Sequence, residues 1–155
     1  MIAIVYATRR AGTRRIVDAL LPPFPEGTIA CDVADGVPDL TGADTVVLGT
    51  GIYVGRALKS MRKYVAGFDP AGRRVAVFVS GLEDDPAKQQ EELDMAFPED
   101  VVGPTIARAF LPGRLHMDSL NALERFTMSK VKNATSDVDA FDADAIEAFA
   151  RKVIA

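Results

Sequence analysis

The sequence predicts an α/β fold, a single domain over residues 1–155 with five parallel strands between two layers of helices. Short apolar runs rich in β-branched residues do not alternate with polar ones, which is typical of strands covered on both faces. Helical segments of roughly ten to fifteen residues separate these runs, and this indicates βαβ units. With 155 residues, 48% hydrophobic and 26% charged, the chain suits one globular domain.

The strands follow from the apolar runs, taken in chain order. Residues 2–6, 44–49 and 74–80 are nearly continuous in apolar residues, and each is predicted as a buried strand. Residues 28–33 and 105–111 are weaker candidates that complete a sheet of five strands. We expect Cys31 to fill the core of the second strand.

Helices are predicted between the strands from the spacing of their apolar residues. Pro22 and Pro23 end the first helix, and Pro86 opens the third directly after two aspartates. The predicted helices cover residues 13–21, 56–68, 86–97, 119–132 and 142–154. For the fourth of these, two interpretations stay open: an ordinary helix facing the core, or at most peripheral contact with a membrane through its apolar and basic sides.

Composition and charge exclude several classes of function. The net charge of −4, from 18 basic and 22 acidic residues, argues against a general nucleic-acid binder. One cysteine, Cys31, forms no internal disulfide or structural zinc site, and one histidine, His116, argues against histidine metal clusters. No apolar run approaches the roughly 20 residues of a membrane span, and the first residues do not resemble a signal peptide. We therefore expect a cytoplasmic protein.

A ligand of such a sheet is expected beyond the carboxyl ends of the strands, so the turn after the first strand is the first candidate. It offers hydroxyls, small residues and backbone N–H groups that lead into a helix N-terminus, and this combination suits a phosphate. Arg14 and Arg15 add positive charge nearby. The alternative is an ordinary capped helix with Thr13 as N-cap and solvated arginines. The candidate phosphate residues are Thr8, Arg9, Arg10, Ala11, Gly12 and Thr13.

The second turn carries glycines at positions 49, 51 and 55, one residue off the dinucleotide fingerprint. No acidic residue ends a strand about 20 residues later, which argues against a nicotinamide site. We expect a loop with an exposed apolar tip that covers a flat aromatic ring, with Tyr53 as a stacking partner. The alternative is a tight turn whose Tyr53 packs in the core. The candidate residues are Thr50, Gly51, Ile52, Tyr53, Val54 and Gly55.

The third turn begins with Ser80, Gly81 and Leu82. The glycine allows close approach of the backbone to a ligand edge, and the leucine offers an apolar contact. The acidic residues 83–85 that follow leave a second interpretation open, in which this segment caps the next helix. No side chain in the three turns is required as a general acid or base.

Residues 4–13, followed by Leu20, resemble the signature of the flavodoxin family: an aromatic strand end, a hydroxyl, a small residue, then a threonine that opens a helix. The resemblance implies a flavodoxin-like three-layer sandwich with strand order 2-1-3-4-5 and noncovalently bound FMN. It also implies that loop 8–13 holds the phosphate, that loop 50–55 faces the isoalloxazine ring, and that residues 80–82 lie along its pyrimidine edge.

Within this family the chain most resembles the flavodoxin-like, quinone-linked protoporphyrinogen oxidases of bacteria. The pair Thr8-Arg9 is shared with their phosphate loop, and residues 49–55 resemble their Gly-Ala-Ser-Ile-Arg-Tyr-Gly loop. Residues 125–128 and 141–150 resemble their C-terminal helices. The acidic residues 83–85 stand where those oxidases carry a longer, basic insertion.

Three functions stay open from the sequence. The first is an FMN oxidoreductase that acts on a quinone or porphyrinogen-type small molecule, with Arg114 as a cation for a propionate and His116 beside the groove. The second is an electron carrier of the flavodoxin type, whose partner is another redox protein. The third is a binding or regulatory module without flavin, which predicts a colourless protein even in excess FMN.

Overall fold

The computed structural model describes residues 1–112, 114–115, 138–139 and 142–155. In this part of the chain, the long strands are β1 (Ile2–Ala7), β2 (Ile29–Asp32), β3 (Thr45–Tyr53), β5 (Arg74–Gly81) and β6 (Ala107–Pro112), with the short β4 (Arg56–Ala57) between β3 and β5. The long strands are all parallel and lie in the order β2-β1-β3-β5-β6. Counted without β4, this is the predicted order 2-1-3-4-5.

Helices flank the sheet on both faces. They are α1 (Gly12–Leu20), α2 (Lys59–Ala66), α3 (Pro86–Ala96), α4 (Glu99–Val102) and α5 (Ala143–Ile154). Two further short strands, β7 (Arg114–Leu115) and β8 (Val138–Asp139), pair antiparallel. Within the described ranges, no helix is long and apolar enough to cross a membrane. The predicted helix 119–132, residues 125–128 and His116 lie outside the described residues, as does the side chain of Arg114.

The core forms two layers because the central strands bury both of their faces. All six residues of β1 are buried, as are the first six residues of β3 and the six residues of β5 that follow Arg74. On one side, Ile4 and Phe78 pack against α1 and α5. On the other side, Val5 and Val77 pack against α2 and α3. This double burial explains why these strands read as continuous apolar runs.

Three local predictions were wrong. The third strand extends to Tyr53, four residues beyond the predicted end, because the glycine-rich turn continues the ladder. Residues 56–57 form β4, so the second helix begins at Lys59 and not at residue 56. Cys31 is only half-buried, because β2 is an edge strand whose side chains are not fully covered.

Candidate ligand site at the carboxyl ends of the strands

The three predicted turns meet at the carboxyl edge of the sheet. Ala7 pairs with Thr50, and Gly51 pairs with Ser80, so the ends of β1, β3 and β5 lie side by side. The chain leaves β1 towards β2 on one side, whereas β3 lies on the other. This reversal of strand order creates the crevice in which open α/β sheets bind their ligands.

Two buried hydroxyls join the first and third turns beneath the surface. The hydroxyl oxygens of Thr13 and Ser80 lie 3.0 Å apart in a hydrogen bond, and the two residues are 1% and 4% exposed. A Cβ atom at Gly51 would lie 3.1 Å from the Thr13 hydroxyl, so the second turn packs against the same point. The structure therefore brings the three turns together. It also places Thr13 and Ser80 below the exposed rim rather than on it.

The turn between β1 and α1 holds an uncommon backbone conformation. Arg10 and Ala11 have φ angles of 55° and 62°, which lie in the left-handed region. This conformation costs a non-glycine residue roughly 1–2 kcal/mol. Such strain is concentrated at functional sites, where the surrounding structure holds it in place. Two successive residues of this kind directly before a helix mark this turn as a candidate site, and within it the amide of Gly12 donates to the carbonyl of Arg9 over 3.3 Å.

The start of α1 is capped by Thr8 and not by Thr13. The amide of Arg14 donates to the Thr8 hydroxyl over 3.2 Å, whereas the N-cap position itself, Ala11, provides no side-chain hydrogen bond. The alternative in which Thr13 is the N-cap is therefore wrong. The amide of Thr13 donates to no described residue, as is common in the first turn of a helix. Thr8 keeps its own hydroxyl proton as a donor.

The second turn is a β-hairpin between β3 and β4. Tyr53 pairs with Arg56, and the two residues between them, Val54 and Gly55, have φ angles of 52° and 71°. Positive φ at both central residues is the pattern of a type I′ turn. Tyr53 is 43% exposed and Val54 is 81% exposed, so the predicted apolar tip is confirmed and the alternative with Tyr53 in the core is wrong. Ile52 instead packs against the core.

The side chain of Arg9 connects the first turn to this hairpin. The central carbon of its guanidinium lies 4.2 Å from the centroid of the Tyr53 ring. This distance is well within the range of a cation–π contact. The candidate phosphate turn and the candidate ring-stacking residue are thus in direct contact, which the sequence did not indicate.

Thr50 holds the start of the next helix. Its hydroxyl is fully buried, donates to the carbonyl of Gly51 over 2.9 Å and accepts from the amide of Leu58 over 3.3 Å. Both contacts lie within the protein and precede α2. We conclude that this predicted site residue shapes the second turn from below.

The third turn is short and its acidic residues have structural partners. Asp85 accepts a hydrogen bond from the amide of Ala87 over 3.0 Å and caps α3, as the second interpretation of this segment required. Glu83 accepts from the amide of Asp85 over 3.0 Å. Gly81 and Leu82 are half-buried at the rim of the site, and a Cβ atom at Gly81 would lie 3.3 Å from the Phe110 ring.

Arg56 is a rim residue that the sequence did not single out. It is exposed and lies opposite Tyr53 in the hairpin, so its position depends on the turn at residues 54–55. The sequence predicts a helix from residue 56 onwards, so Arg56 was not expected at the rim of the site. Among the described residues, no group of three or more histidine, cysteine, aspartate or glutamate side chains is arranged to hold a metal ion.

Solved structures with a similar fold include flavodoxins. The flavodoxin from Streptococcus pneumoniae TIGR4 is 16% identical over 99% of this chain and 97% of its own, with a TM-score of 0.63. Oxidised flavodoxin 2 from Bacillus cereus is 19% identical over 99% and 97%, with a TM-score of 0.61. A Fusobacterium nucleatum flavodoxin bound to flavin mononucleotide is 23% identical over 67% of each chain, with a TM-score of 0.52.

Sequence comparison assigns the family independently of the fold. No curated protein matches the chain. A family model described as a flavodoxin domain, however, matches residues 3–141, which are most of the chain. The parallel sheet, its strand order and this match agree. The chain belongs to the flavodoxin domain family.

Proposed function

We propose that this chain binds FMN noncovalently at the carboxyl ends of β1, β3 and β5 and transfers electrons to or from another redox protein. FMN supplies the redox chemistry when bound, since it accepts and releases one or two electrons. The protein's part is to hold the cofactor, to cover its ring and to set its potential. Membership of the flavodoxin domain family and the FMN bound by the Fusobacterium nucleatum flavodoxin support the identity of the cofactor.

The phosphate is assigned to the turn of residues 8–12. The observation that carries this assignment is the left-handed conformation of Arg10 and Ala11 directly before α1. This turn stands at the positive end of the helix dipole, where a phosphate is stabilised. The hydroxyl of Thr8 adds a donor. Thr13 would support this turn through its bond to Ser80.

The isoalloxazine ring is assigned to the space between the hairpin and the third turn. Tyr53 and Val54 offer exposed apolar surface on one side, and Gly81 and Leu82 offer a half-buried edge on the other. A flat aromatic ring gains most from such stacking and edge contacts. Gly51 would support this arrangement from below, because its missing side chain leaves room for the Thr13 hydroxyl.

A redox protein is the preferred partner because the third turn is short. Only residues 82–85 separate β5 from α3, and two of them are tied into the start of that helix. A turn of this length offers little surface to bind a bulky planar substrate. Its acidic side chains also repel the carboxylates that a porphyrinogen carries. An open, partly apolar rim suits a docking protein better.

A porphyrinogen or quinone oxidoreductase is the second candidate. The observation that favours it is the basic side of the rim, where the side chains of Arg9, Arg10 and Arg56 are exposed. Cations there would attract carboxylates. The acidic third turn on the opposite side opposes this attraction, which is why the electron carrier is preferred.

The test compares the two activities in one preparation. The chain is loaded with FMN, and free FMN at the same concentration is the control. We expect the chemically reduced protein to reduce cytochrome c in single-electron steps, and to leave the rate of protoporphyrinogen oxidation by a quinone at the level of free FMN. Protoporphyrinogen turnover clearly above that level would favour the second candidate. A protein that retains no FMN would contradict both.

A further inference from the structure

Arg9 belongs to the phosphate turn by sequence, but its charged group lies elsewhere. Its guanidinium carbon is 4.2 Å from the centroid of the Tyr53 ring, and that ring is 43% exposed at the hairpin. The hairpin is the part of the site assigned to the isoalloxazine. The phosphate turn, by contrast, already supplies backbone N–H groups and a hydroxyl. The geometry therefore brings a full positive charge to the ring side of the site.

Charge placed at this point has a defined effect on a redox cofactor. Electrons added to a ring system bring negative charge, so a nearby cation stabilises the reduced form and raises the midpoint potential. The acidic residues 83–85 on the opposite rim act in the other direction. A guanidinium is planar and stacks on aromatic rings, so the contact with Tyr53 keeps this charge in place better than a lysine could.

Resting on the proposed function, we propose that Arg9 is a positioning residue that holds Tyr53 and raises the midpoint potential of the bound flavin, and that it is not a phosphate ligand. The neighbouring Arg14 differs, since its guanidinium lies 3.9 Å from the carboxylate of Asp18 in its own helix. Arg9 and Arg14 thus place their charges against different parts of the molecule, Arg9 against the Tyr53 ring and Arg14 beside Asp18.

The experiment uses three variants of the full chain. Arg9→Gln removes the charge and keeps a polar side chain, whereas Arg9→Lys keeps the charge and loses the planar group. Arg15→Gln removes the same charge from an exposed arginine of α1 and serves as the matched control. For each protein, dissociation constants for FMN and riboflavin are measured by flavin fluorescence, and midpoint potentials by spectroelectrochemistry.

We expect Arg9→Gln to lower the midpoint potential and to weaken FMN and riboflavin by the same factor, about two- to fivefold, which is the effect of losing an exposed cation–π contact. The midpoint potential of Arg9→Lys should stay close to that of the wild type, whereas its affinity for both ligands should fall. Arg15→Gln should change the potential much less. Raising the ionic strength should reduce the difference between wild type and Arg9→Gln, because exposed charges are screened.

Two results would overturn the inference. In the first, Arg9→Gln weakens FMN tenfold or more and leaves riboflavin unchanged, which would assign Arg9 to the phosphate. In the second, Arg9→Gln and Arg15→Gln shift the potential equally. Failure of the proposed function is distinct from both, since the wild-type protein would then bind neither flavin.

Discussion

At the scale of single residues, glycine is required at positions 49 and 51 for different reasons, although both belong to one motif. A Cβ atom at position 49 would lie 2.2 Å from the Cζ atom of Phe78, in the middle of the core. A Cβ atom at position 51 would lie 3.1 Å from the hydroxyl of Thr13, at the site. The spacing of the glycines predicts that the whole motif forms a ligand-binding loop. Its first glycine is instead explained by the packing of one phenylalanine, which the sequence places 29 positions later and cannot connect to it.

Gly49→Ala tests this packing argument. The added methyl group has no room beside Phe78, so the ring or the strand must shift, and overpacking of this kind costs about 1–3 kcal/mol. The free energy of unfolding from urea denaturation should fall by that amount. Gly67→Ala is the matched control, because nothing lies within 4 Å of its Cβ position. Equal stabilities for the two variants would contradict the assignment.

Tyr6 gives a prediction for alkaline pH. Burial is the main cause that raises the pKa of its phenol above the ordinary value of 10.0. As the pH rises past about 10, the unfolded chain releases this proton first, so it binds fewer protons than the folded chain and stability falls. Tyr6→Phe removes the ionisable group and should lose less stability between pH 8 and pH 11 in urea denaturation. An identical loss in both proteins would show that Tyr6 does not contribute.

At the scale of elements, the β3–β4 hairpin is the largest departure from prediction. The segment was predicted as a loop followed by a helix from residue 56. Glycine at position 55 suits a two-residue turn, but valine at position 54 gives no such signal, because β-branched residues rarely adopt a positive φ. The buried core strands β1 and β5 were predicted closely, as was the start of β3, since their patterns depend only on burial of both faces. The geometry of the hairpin depends on Val54, a β-branched residue whose conformational preference disfavours the positive φ that it adopts.

Val54→Asn tests the strain in this hairpin. Asparagine tolerates the left-handed region and forms with Gly55 the preferred sequence of a type I′ turn. We expect the free energy of unfolding to rise by about 1 kcal/mol, the lower part of the cost of this conformation for ordinary residues. The control is Val37→Asn, at an exposed valine outside the residues of positive φ, where a change within about 0.5 kcal/mol is expected. A destabilised Val54→Asn protein would contradict the strain argument.

At the scale of the whole molecule, the parallel sheet explains why the meeting of the three turns could be predicted from sequence. Parallel strands end at the same edge, so the turns after β1, β3 and β5 had to lie together once the fold class was predicted. The depth of each side chain could not be predicted in this way. Thr13 and Ser80 lie 67 positions apart, and their hydrogen bond depends on the register between the first helix and the fifth strand.

The distribution of charge also belongs to this scale. The chain has a net charge of −4, yet exposed arginines gather on the first turn and the hairpin, with acidic residues on the third turn. The turns that meet at this edge of the sheet thus carry charges of opposite sign. Composition alone could not reveal this division of charge, because it arises from how the turns meet.

The most direct test of the account is the affinity of the flavin-free protein for FMN relative to riboflavin, measured by quenching of flavin fluorescence. The two ligands share the ring system and differ in the phosphate. If residues 8–12 hold the phosphate at the start of α1, as proposed, FMN should bind at least about tenfold more tightly, a difference of about 1.4 kcal/mol, and Thr8→Ala should reduce that ratio. Equal affinity for the two ligands, or no binding of either, would contradict the account.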